Sequence, residues 1–89
     1  MSEETIFIAL EVLEHINKDI ELIGRLPGGS TIIFSVPNFK SFNRIRIYDS
    51  LQEIWERYSM IQILEYEKIY ANQKQDKVYH LILGRIKDK

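Results

Sequence analysis

The sequence predicts an α/β domain: a four-stranded mixed sheet in the order strand, helix, strand, helix, strand, strand. Three observations carry this. Two short apolar runs rich in β-branched and aromatic residues, Thr5–Leu10 and Ser30–Val36, have the length and composition of buried strands. Each is followed by apolar residues at helical spacing. Two longer strand-like runs then close the chain, joined by a short polar segment.

Thr5–Leu10 is nearly all apolar, which suits a strand covered on both faces. After a polar stretch from Glu11, Asn17 is the expected N-cap of a helix over about Lys18–Arg25. Ile16, Ile20, Ile23 and Leu26 form its apolar stripe. Pro27-Gly28-Gly29 ends that helix in a turn. Ser30–Val36 is the second strand, stopped by Pro37-Asn38, and Phe39–Arg46 has no clean period and reads as loop. Ser50-Leu51-Gln52-Glu53 fits a capping box, and Leu51, Ile54, Trp55 and Tyr58 then fall on one helical face. Met60–Ala71 and Val78–Ile86 read as strands. The linker Asn72–Lys77 is too short for a crossover helix, so these two pair as an antiparallel hairpin. Lys87–Lys89 reads as a frayed tail.

At 89 residues the chain is one small domain, 1–89, without repeats or low-complexity segments. A net charge of −1 gives no basic footprint for nucleic acid. With no cysteine there are no disulfides, thiolate metal sites or cysteine nucleophiles, which suits a reducing, cytoplasmic setting. No apolar run is long enough to span a membrane, and no signal peptide is expected.

Ile8-Ala9-Leu10-Glu11-Val12-Leu13-Glu14-His15-Ile16, then Leu26-Pro27-Gly28-Gly29-Ser30, then Ile33-Phe34-Ser35-Val36-Pro37-Asn38 closely resemble the second half of class I S-adenosylmethionine-dependent methyltransferases. That family shows "EVLEH" after its fourth strand, "PGG" at a turn and "SVPN" after its fifth, and it ends in an antiparallel hairpin. The resemblance covers nearly all of this chain and about half of the family fold. It implies the βαβαββ half of a Rossmann-like methyltransferase fold, with family strands 4-5-7-6 in spatial order and the helices on one face. The family holds S-adenosylmethionine mainly through a Gly-rich loop after its first strand and an acid after its second. The glycines here are Gly24, Gly28, Gly29 and Gly84, and no such loop exists. No cofactor-binding residue is therefore assigned. The isolated chain is not expected to bind S-adenosylmethionine tightly or to transfer a methyl group.

The resemblance places Glu11, Glu14 and His15 at the C-terminal end of a strand, where open α/β sheets carry their sites. In some relatives, including RNA 2′-O-methyltransferases and ubiquinone-pathway O-methyltransferases, this pattern supplies divalent-metal ligands near a substrate oxygen. A further ligand is normally needed. The region after Asn38 offers Asn43 and Arg44 but no histidine, and His80 lies in the last strand. The plainer reading, which we favour, leaves Glu11 and Glu14 solvated and His15 a polar strand-end residue. Glu14, His15 and Asn38 stand as substrate-side candidates, Asn38 equally as a turn residue. No spacing supports a Ser–His–Asp arrangement, and no catalytic residue is assigned. Arg25, Lys40, Arg44 and Arg46 read as surface, and Trp55 and Tyr58 as packing rather than a base-stacking platform.

A half-fold leaves Thr5–Leu10 as an edge with neither charge nor proline. It also leaves one apolar sheet face bare, drawn from Ile6, Ile8, Ile32, Phe34, Leu81 or their alternates. The expected partners are a second copy, giving a homodimer, or a separate chain carrying the missing half. The rival expectation is a non-catalytic interaction module using the same edge or face.

Overall fold

The structure, a computed structural model, describes residues 5–40 and 46–88. The chain runs β1 (Ile6–Leu10), a 3-10 turn (Leu13–His15), α1 (Asp19–Gly24), β2 (Thr31–Pro37), α2 (Leu51–Arg57), β3 (Ile61–Tyr70) and β4 (Val78–Ile86). These form a single four-stranded sheet in the order β1-β2-β4-β3. β1 and β2 are parallel, while β4 is antiparallel to both β2 and β3. The α/β class, the mixed sheet and the terminal hairpin thus follow the sequence pattern.

Register decides which residues share a face, because opposed residues point the same way and neighbours alternate. Phe7 lies opposite Ile32 and Ala9 opposite Phe34; across the next pair, Ile32 meets Gly84, Phe34 meets Ile82 and Val36 meets His80. On this face Ile32, Phe34, Val36, Ile82 and Ile86 join Ile23 of α1, Ile54 of α2 and Tyr58 in one buried cluster. Both helices therefore lie against the same face. Each fully buried Ile, Leu or Phe side chain contributes about 1.5–3 kcal/mol. The other face carries Ile6, Ile8 and Leu10 of β1, Ile33 of β2, and Leu81 and Leu83 of β4. Ile6, Ile8 and Leu10 are 51–67% exposed. Ile32 and Phe34, candidates for the bare face, belong instead to the covered one, because β1 pairs with Ile6 opposite Thr31.

β1 is accordingly an edge strand with one half-covered face rather than a strand buried on both sides. Pro37 is tolerated in a central strand because it sits at the end of β2, beyond the last β1 pair, Leu10 with Ser35. A bulge between Ile63 and Glu65 lets Ile61, Ile63 and Tyr66 all take the covered side. Gly84 makes the β3–β4 approach feasible, since a Cβ there would meet Ile61 Cγ2 at 2.5 Å.

Pro27-Gly28-Gly29-Ser30 forms a type II turn: Ser30 N–H donates to Pro27 O (3.2 Å) and Gly29 has φ +87°. The cap of α1 is Lys18 with no side-chain bond, not Asn17. The capping box of α2 holds, with Ser50 Oγ accepting from Glu53 N–H at 3.4 Å. The return bond comes from Asp49 N–H to Glu53 Oε1 (2.8 Å), one residue earlier than the box prescribes. Ile54 and Tyr58 are buried as expected, but Trp55 is 52% exposed. Of the expected frayed tail, Lys87 is held, because its N–H donates to Met60 O at 2.9 Å, and Lys89 lies outside the described residues.

Candidate functional site

The C-terminal ends of β1 and β2 lie side by side, and the chain leaves β1 through an unusual conformation. Glu11 has φ +56°, the left-handed region that side chains other than glycine rarely adopt. Its N–H donates to Ser35 O (3.2 Å) and to Ser35 Oγ (3.0 Å), locking this bend to β2. The Glu11 side chain stays exposed. Backbone strain of this kind costs about 1–3 kcal/mol and concentrates at functional sites.

The 3-10 turn that follows turns Leu13 and Glu14 inward and leaves His15 exposed. Glu14 is wholly buried, which corrects the expectation of a solvated carboxylate. The 3-10 geometry, rather than a plain loop, is the cause. Its Oε2 lies 3.7 Å from His15 Nε2, so these two candidates are neighbours. Glu11 does not join them in a metal-holding group: among the described residues no three His, Asp or Glu side chains converge in that way. Asn38 stands just past the C-terminal end of β2 and is engaged by the hairpin. Its Oδ1 accepts from Val78 N–H (2.8 Å) and its Nδ2 donates to Asp76 O (3.1 Å). Asn43 and Arg44 lie outside the described residues.

Sequence reasoning missed the polar network beneath this end of the sheet. Asp19, the first residue of α1, is fully buried. Arg57 grips it with two bonds, Nε to Oδ2 (2.9 Å) and Nη2 to Oδ1 (2.6 Å). Tyr58 Oη donates to Oδ2 at 2.5 Å. Arg46 Nη1 lies 3.1 Å from the same oxygen and donates to the carbonyls of Leu13 (2.7 Å) and Ile16 (2.9 Å). Arg46 is therefore no surface cation. It fastens the segment carrying Glu14 and His15 to α1. The one available signal was Asp19 itself, four residues before Ile23 and so on the buried side of α1.

These contacts set the local electrostatics. Burial alone would raise the Asp19 pKa, but the bonds from Arg57 and Tyr58 and the charges of Arg46 and Arg57 outweigh it and hold the carboxyl below its ordinary range. Burial and the adjoining Asp19 push the Tyr58 hydroxyl well above the usual phenol range. Tyr48 Oη donates to Tyr58 Oη (2.9 Å), extending the chain of bonds. His80 is also buried. Its Nε2 donates to Tyr48 O (2.8 Å), so its Nδ1 accepts from Tyr66 Oη (2.6 Å). Burial pushes its pKa below the ordinary histidine value.

An apolar groove of about 270 Å³ runs between β1 and α1, lined by Ile8, Val12, Leu22 and Leu26 among others. No helix among the described residues is long and apolar enough to cross a membrane. Compared with protein-family models, with curated proteins and with solved structures, the chain matches none.

Proposed function

We propose that this chain is the substrate-side half of a class I S-adenosylmethionine-dependent methyltransferase fold, inactive alone and completed across β1. The strand order β1-β2-β4-β3 is the observation that supports this reading most, since it is the order the resemblance implies for family strands 4-5-7-6. The strained Glu11 bend and the paired Glu14 and His15 stand at the strand ends where open α/β sheets bind ligands. In this reading the exposed His15 faces the methyl acceptor, the buried Glu14 positions it from behind, and Asn38 braces the hairpin nearby. S-adenosylmethionine is held by a complementing half that brings the Gly-rich loop. The test is affinity capture with the tagged chain from its native source, followed by identification of what it retains. A partner with a Gly-rich loop after its first strand supports the reading. Methyl transfer by that complex should then fall sharply with His15→Ala. A complex whose activity is indifferent to both Glu14→Gln and His15→Ala overturns the assignment.

A second reading is favoured by the exposed Ile6, Ile8 and Leu10. Here the chain is a non-catalytic interaction module that dimerises or binds a protein partner through the β1 edge or the bare face. Such a module keeps its partner when Glu14, His15 and Asn38 are replaced.

A further inference from the structure

We infer that the bare sheet face docks one amphipathic helix that carries a basic flank. The inference rests on the reading that this face binds protein, and not on the methyltransferase resemblance. Two rows of the sheet carry it. Ile8, Ile33, Leu83 and Glu65 lie opposite one another across β1, β2, β4 and β3. Leu10, Ser35, Leu81 and Glu67 form the next row. Both rows start apolar on the β1 side and end in a carboxylate on β3. A shallow cavity of about 260 Å³ lies between them, with Ile33, Leu81 and Leu83 on one side and Glu65 and Glu67 on the other. Among the described residues no cation pairs with Glu65 or Glu67.

Charge complementarity selects the occupant. A purely apolar surface would leave this acidic column unpaired, and a second copy laid face to face brings one cation, Arg85, for the two carboxylates of each column, whereas a basic flank supplies one for each. The spacing selects a helix. Alternate residues along β3 repeat every ~6.6 Å. Residues four apart along a helix repeat every ~6.0 Å. A helix lying along β4 with leucines four apart would seat them on Leu81 and Leu83, and lysines or arginines at the same interval would meet Glu67 and Glu65. Arg85, one step beyond Leu83 on the same face, asks for an acidic group at that end of the helix and fixes its direction.

The experiment uses two synthetic helical peptides of ~18 residues, long enough for appreciable helicity in isolation. Both carry leucines four apart; one has lysines along a flank and the other has glutamates there. Binding to the full chain is followed by fluorescence anisotropy at low and high salt. The lysine peptide is expected to bind about ten-fold more tightly, a difference of about 1.4 kcal/mol, and the gap should narrow as salt rises. The double variant E65K/E67K should reverse the preference. E65Q/E67Q, the milder change, should equalise the two peptides if the first variant folds poorly. Equal affinities that neither variant alters overturn the inference. Binding of neither peptide, in a chain that sedimentation shows to be a dimer, overturns the helix while leaving the docking reading standing.

Discussion

Arg57 and Asp19 meet through two parallel hydrogen bonds of 2.9 and 2.6 Å, across 38 residues of sequence. The pair ties α2 to the first turn of α1. Through Arg46 it also ties both to the turn that carries Glu14 and His15. A buried carboxylate is stable only with such partners, and removing one side of a buried pair leaves the other uncompensated.

Arg57→Ala is therefore expected to lower the unfolding free energy by about 3 kcal/mol, because it strips the fully buried Asp19 of its two-pronged partner, and Asp19→Ala by less, because the Arg57 side chain it leaves is 35% exposed and can reach water. Urea denaturation of both variants against the parent checks this. Equal, small losses would show the network contributes little.

The pH dependence has a defined sign. The pKa of His80 is depressed in the folded state, so below the ordinary value of about 6.5 the unfolded chain binds more protons. Its contribution is fully present above that value and is lost as pH falls through the depressed one. Lys68 reinforces the depression while Glu53 and Asp49 oppose it. Asp19, also depressed, adds a second loss at lower pH, beginning near the ordinary carboxylate value of about 3.9. Thermal midpoints from pH 8 to pH 3 should fall in two stages, with His80→Gln removing the first.

Gly84→Ala should destabilise the chain by about 1–3 kcal/mol through overpacking. The new methyl would sit 2.5 Å from Ile61 Cγ2 and 3.0 Å from Gln62 O. Ile61→Ala removes the clashing Cγ2, so a double-mutant cycle of Gly84→Ala with Ile61→Ala should show a favourable coupling between the two changes.

Glu11→Gly should stabilise the fold or leave it unchanged, by up to about 1 kcal/mol, because glycine occupies φ +56° without strain. If the bend serves ligand binding, that gain should come with weaker function in a complemented complex. Denaturation and methyl-transfer assays measured together check both halves.

The strands, the hairpin, the turn at Pro27-Gly28-Gly29 and the capped α2 were legible because each depends on nearby residues. The bare face was legible only in outline. A one-residue choice of register between β1 and β2 decides whether Ile8 is joined by Ile33 or by Ile32, and the apolar run from Ile6 to Leu10 fits either. The Asp19 network was invisible because its members lie 27 to 39 residues apart, and pattern alone does not show which arginine reaches a buried acid. Glu14 was misjudged for a related reason: a short 3-10 turn, with no periodicity long enough to detect, turns it inward.

As proposed, this chain carries the substrate side of the fold without the groups that hold the cofactor. Calorimetric titration of S-adenosylmethionine and S-adenosylhomocysteine into the purified chain tests it most directly. No heat of binding is expected at millimolar ligand. Binding at micromolar affinity, about −8 kcal/mol, would contradict it, because these 89 residues contain no Gly-rich loop to supply that energy.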